Sequence, residues 1–172
     1  MTPNQILPDS DISAENIKAI YAFVPTVQKY AQLYPPPAES SKDLEILRSI
    51  DDDELIQMAF WVYSDKSENK LSYVPLEIPS PFNSRKLYRG WNFVGVTLDM
   101  IQNPTYPQLT FNDIKGNCNV EKTYVFVGGQ WYKLDPLPPL DDILSGGIVV
   151  KVSNDCQLGM ESAALPLPPS IP

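Results

Sequence analysis

The chain has 172 residues, 43% of them hydrophobic and 20% charged, which is the balance of a domain that folds in water and argues against a membrane-embedded one. Its formal charge is -8, from Lys+Arg 13 against Asp+Glu 21, so its field repels phosphate backbones and nucleic acid is not an expected partner. No run approaches the roughly 18 apolar residues that cross a bilayer, and Met1-Thr2-Pro3-Asn4-Gln5 is not a basic segment leading into an apolar one; a membrane would be reached only through a segment that this sequence does not contain.

In chain order, the first element reads as an amphipathic helix. Ser13 is its candidate N-cap, and Ile17, Ile20, Tyr21, Val24, Val27 and Ala31 recur every three or four residues. Pro25 should kink or divide it, and Pro35-Pro36-Pro37 should end it with a stiff linker. Residues 1–37 are thus expected to be a helical segment with a proline linker. Ser40-Ser41-Lys42-Asp43 then starts a short helix through Leu44, Ile46 and Leu47.

From Leu55 the period changes to two. Ile56, Met58, Phe60 and Val62 share one face of a strand and Leu55, Ala59, Trp61 and Tyr63 the other. A polar turn at 64–70 returns the chain through Leu71-Ser72-Tyr73-Val74, the second strand of an expected hairpin. The basic stretch Ser84-Arg85-Lys86-Leu87-Tyr88-Arg89 reads as a solvated loop. Gly90 opens a strand through Val96, Asn103-Pro104-Thr105-Tyr106-Pro107 is a loop, and Thr110 to Ile114 is one helical turn. A second hairpin follows, with Tyr124-Val125-Phe126-Val127 turning at Gly128-Gly129 into Trp131-Tyr132-Lys133-Leu134. After Pro136-Leu137-Pro138-Pro139 a last strand is entered at Gly147 and runs to Val152. Two hairpin-plus-strand units result, a first β-unit with a short helix at 38–88 and a second at 89–164, followed by a proline-rich tail at 165–172. The predicted fold class is α+β, an N-terminal amphipathic helix with a mainly antiparallel β-domain.

Little in the chain can perform chemistry. Histidine is absent, which removes the usual general base, the commonest metal ligand and every triad built on an imidazole. The glycine pairs stand in turns beside strands without a phosphate-loop Lys-Ser/Thr. The acidic runs Asp51-Asp52-Asp53-Glu54 and Asp141-Asp142 could serve a hydrolase only by converging in one cleft, and the first lacks the spacing of a calcium loop. The chain is expected to be no enzyme, without cofactor or metal.

Two features remain. Cys118 and Cys156, each flanked by Asn or Asp, are placed at loops or strand ends. They form either a disulfide worth roughly 3–4 kcal/mol in an oxidising compartment or two reduced thiols in a cytosolic protein. Trp61, Tyr63, Tyr73, Tyr124, Trp131 and Tyr132 lie on strands, where rings either pack in a core or form a binding platform. Trp131, Tyr132 and Tyr63 are the candidate binding aromatics.

The ordered set Gly90-Trp91-Asn92-Phe93-Val94-Gly95-Val96, Phe111-Asn112-Asp113-Ile114-Lys115-Gly116-Asn117-Cys118, a Tyr/Trp hairpin and Lys151-Val152-Ser153-Asn154-Asp155-Cys156 resembles the GWN β-module. That module is found near the C-termini of secreted and cell-surface proteins of archaea and bacteria, including pilin-like and S-layer-associated ones. The likeness covers about Gly90 to Leu158. Where the family has Gly-x-Gly-Tyr-Trp, this chain has Gly146-Gly147-Ile148-Val149. The resemblance implies an extracellular, non-catalytic module with Cys118 and Cys156 bridged. The expected function is a structural or adhesive cell-surface protein, such as the soluble domain of a pilin-like filament subunit, whose partners are other surface subunits or a surface glycan. A carbohydrate-binding module using exposed strand aromatics is the alternative.

Overall fold

A computed structural model describes residues 16–50, 58–65, 82–101, 109–143 and 146–160. Its first sheet has three antiparallel strands in the order β2-β1-β3: β1 (Ile17–Val24), β2 (Lys29–Tyr34) and β3 (Phe60–Ser64). The region expected to be an amphipathic helix is therefore a β-hairpin, and the described helices are only three short ones. Two causes account for the difference. Pro25 does not kink a helix but opens the hairpin turn, in which Val27 N donates to Val24 O at 3.3 Å and Gln28 takes a φ of 52°. The pairing of β1 also shifts register between Ile17 and Ala19 and between Ile20 and Tyr21. Such bulges interrupt strict alternation, so that buried Ile17 and Ile20 stand three apart, as they would on a helix face. β-Branched and aromatic side chains at Ile17, Ile20, Tyr21, Phe23 and Val24 then favour the strand.

Ile20, Ala22, Val24, Ala31, Leu33 and Met58 form the core of this sheet. Helix α1 (Lys42–Arg48) packs Ile46 and Leu47 against it. Ser41 Oγ caps α1 by accepting from Leu44 N at 3.2 Å, and Asp43 Oδ2 accepts from Gln32 N at 3.2 Å on the outer edge of β2. The partner of β3 is β1; the expected return strand at 71–74, the cap at position 13, the acidic run at 51–54, the loop at 103–107 and the tail at 165–172 lie outside the described residues.

The second sheet has the order β5-β8-β6-β7, built from β5 (Gly90–Gly95), β6 (Val120–Val127), β7 (Gln130–Lys133) and β8 (Gly147–Val152), all antiparallel. Gly128 and Gly129 turn β6 into β7 with φ of 58° and 82°, the left-handed pair that a two-residue hairpin turn requires. Helices α2 (Leu98–Ile101) and α3 (Phe111–Ile114) cover one face. There Val94, Met100, Phe111, Ile114, Leu140, Ile148, Val150 and Val152 form the larger core. The β4 (Lys86–Leu87) and β9 (Cys156–Gln157) pair closes its end.

Cys118 and Cys156 are bonded, with Cα atoms 5.1 Å apart and a separation of 38 positions in sequence. They stand at a loop and a strand end, as their flanks indicate, yet both are buried in the larger core. Arg85 departs from the solvated loop expected of its stretch: it is buried and its Nη1 donates to Gly95 O at 3.0 Å.

Candidate functional site: an aromatic cleft between the sheets

Strand alternation sorts the rings. In the second sheet Ile148, Val150 and Val152 point into the core, so Trp91, Phe93, Tyr124, Phe126 and Trp131, paired with or beside the intervening residues of β8, occupy the opposite face. In the first sheet Ile20, Ala22 and Val24 face the smaller core, leaving Tyr21, Phe23, Tyr30 and Trp61 on the other side. These two aromatic faces meet. Phe23 stacks on Phe93 with centroids 4.9 Å apart, and Tyr30 meets Phe93 edge-on at 5.7 Å. Trp61 packs on Phe126 at 4.4 Å and stacks on Trp131 at 5.8 Å, their planes 26° apart. Such pairs contribute about 0.5–1.5 kcal/mol each beyond their buried area.

Polar contacts fix the same junction. Met58 bridges to Val94, and Ala59 N donates to Phe93 O at 3.4 Å, joining the β3 segment to the β5 edge. Gln28, at the tip of the first hairpin, accepts from Trp91 N at 2.8 Å and donates through Nε2 to Trp91 O at 2.9 Å. The carboxamide thus pairs with the Trp91 backbone as a neighbouring strand would. The Gly-Trp-Asn segment acquires its physical meaning here. Gly90 takes a φ of 104°, and a Cβ on it would stand 2.5 Å from Gln28 Oε1. Asn92 is buried, accepts from Tyr88 N and donates to Tyr88 O and Gly90 O, holding the turn that enters β5.

Where the two faces do not close, a cleft of about 360 Å³ remains, lined among the described residues by Tyr21, Tyr30, Trp61 and Trp131. None of the four carries a charge at neutral pH. Burial raises the Tyr30 pKa above its ordinary value, so its hydroxyl stays a neutral donor and acceptor. Tyr21 Oη lies 3.4 Å from Gln32 Oε1. The site is a surface of flat, largely apolar rings, two of which carry a hydroxyl.

Of the aromatics singled out from the sequence, Trp131 is 45% exposed and lines the cleft. Tyr132 is 51% exposed but lies on the opposite face of β7, and Tyr63 is 57% exposed on β3 outside the lining. The structure brings Trp131 together with Trp61, and adds Tyr21 and Tyr30, whose role was hidden by the helical reading of their segment. Tyr124 is half-buried against Trp91 at 5.9 Å; residue 73 lies outside the described residues. Asp141 and Asp142 are exposed on the 3-10 turn Leu140–Ile143. Among the described residues no group of three or more His, Cys, Asp or Glu is placed to hold a metal ion, and no helix is long and apolar enough to cross a membrane.

No family model matches the chain, and no curated protein or solved structure matches it either.

Proposed function

We propose that this chain is a non-enzymatic extracellular domain with a structural or adhesive role at a cell surface, contacting its partner through the aromatic cleft. The observation that carries the reading is the cleft itself: four rings held on two sheets and open to solvent, with no charged group among the described residues of the lining. A surface of flat rings, pre-positioned on two sheets, suits recognition by stacking. The Cys118–Cys156 bond indicates an oxidising compartment, and the likeness of residues 90–158 to the GWN module supports placing that compartment outside the cell. A place as the soluble domain of a pilin-like filament subunit is the finer form of the same proposal.

The test is sedimentation of the oxidised protein with isolated cell envelopes. Saturable binding that Trp131→Ala weakens, while circular dichroism shows the fold retained, is the expected result. Equal binding by wild type and by a Trp61→Ala, Trp131→Ala double variant would remove the cleft from the function.

A further inference from the structure

Building on the surface-contact reading, we propose that the cleft is a carbohydrate site that takes a neutral pyranose ring of a surface glycan, stacked on Trp131 beside Tyr30 and Tyr21. The lining selects this chemistry. A pyranose presents C–H bonds on its faces and hydroxyls around its edge. The electron-rich face of an indole attracts those polarised C–H bonds, and a tyrosine hydroxyl in the lining can supply a polar partner.

Charge narrows the class. A chain of formal charge -8, with no basic residue among the described residues that line the cleft, repels uronate or sialate sugars and favours neutral ones. A small cation would be drawn by the same field and by the rings. The ring geometry fits it poorly: Trp61 and Trp131 are stacked on each other, their planes 26° apart, so they do not stand as mutually steep walls around a cation, and a ligand ring would meet the side of Trp131 turned away from Trp61. The volume, about 360 Å³, is at the low end for small-ligand sites and several times what one methylated ammonium group fills.

Pre-organisation points the same way. Trp131 is half-exposed yet held by Phe126 at 5.1 Å, Phe93 at 6.5 Å and Trp61 at 5.8 Å. An exposed indole already fixed in place loses little side-chain freedom when a ligand stacks on it.

The test uses the oxidised full chain with cellohexaose, maltohexaose, mannohexaose and chitohexaose, and hexagalacturonate as the anionic control, read by calorimetry and tryptophan fluorescence. At least one neutral hexasaccharide should bind in the micromolar to millimolar range and change the fluorescence. Trp131→Ala should weaken that binding about tenfold or more. Trp131→Phe, which keeps a ring, should weaken it less, and Tyr132→Ala on the other face of the strand should leave it unchanged. The glycan proposal is overturned if no neutral hexasaccharide binds at about 5 mM, if hexagalacturonate binds tighter, or if Trp131→Ala binds as wild type does. Self-association abolished by Trp131→Ala, without sugar binding, also overturns it and makes the cleft an interface between copies. Envelope binding that depends on Trp131 but is not displaced by the free neutral sugars sinks this proposal alone; absence of envelope binding sinks the surface-contact reading as well.

Discussion

Gln28 and Gly90 depend on each other. The carboxamide holds both backbone groups of Trp91, and it can do so only because the neighbouring position lacks a Cβ, which would stand 2.5 Å from Gln28 Oε1. Gly90→Ala is therefore expected to cost about 2–3 kcal/mol, combining a left-handed φ with displacement of the amide. Gln28→Ala should cost about 1–2 kcal/mol through two lost hydrogen bonds. In the Gln28→Ala background the steric part of the Gly90→Ala penalty vanishes, so the double variant should be more stable than the sum of the singles by at least about 0.5 kcal/mol. Urea denaturation of the four proteins measures this coupling, and simple additivity would show that the two residues act separately. The tripeptide Gly90-Trp91-Asn92 could be read as a motif from sequence, but its partner could not: position 28 is remote in the chain and carries only an ordinary polar side chain.

Among the elements, those set by local turn chemistry were legible and those set by distant pairing were not. Gly128-Gly129 between two β-rich runs specifies β6 and β7, and Ser41 ahead of Lys42–Arg48 specifies α1. The β1-β2 hairpin lacks such a turn, and its bulged strand copies helical spacing closely enough to mislead; Pro25, read as a kink in a helix, in fact opens the turn. Tyr21 and Tyr30 lie on that hairpin, so half of the cleft lining was lost with it. Two predictions belong at this scale. Asp43 caps the outer edge of β2 from α1; Asp43→Ala should cost about 0.5–1.5 kcal/mol and, by freeing an edge amide, increase light scattering on heating. Unchanged melting and scattering would mean that the edge needs no cap. Burial raises the Tyr30 pKa in the folded protein above its unfolded value near 10. Above that pH the unfolded state loses its proton first, so this contribution to stability is present below pH 10 and lost as pH rises through the folded pKa. Stability measured between pH 9 and 11.5 should fall more steeply for wild type than for Tyr30→Phe; equal slopes would show that Tyr30 ionises as freely folded as unfolded.

For the molecule as a whole the disulfide is the principal covalent restraint. It anchors the loop ahead of β6 to β9 and, through β9, to β4, enclosing 38 residues of sequence separation. A closed loop of that length stabilises by about 4 kcal/mol on the chain-entropy model, a large fraction of the roughly 5–15 kcal/mol that holds a domain together. The Cys118→Ala, Cys156→Ala variant should lose about that much in urea denaturation. The first sheet contains neither cysteine but is joined to the second by the Phe23–Phe93 stack, the Met58–Val94 bridge and the Gln28–Trp91 contacts. If that junction couples the two cores, the variant unfolds in a single transition at lower denaturant, with amides of β1 and β2 losing hydrogen-exchange protection together with those of β6 and β8. Protection lost in the second sheet alone would show that the junction is too weak to couple them and that the cleft is formed by two independently opening halves. Both sulfurs are buried, so reductant reaches them only when the larger core opens. The rate of reduction in native buffer therefore times that opening, and it should rise in Gly90→Ala if the first sheet braces the second through Gln28.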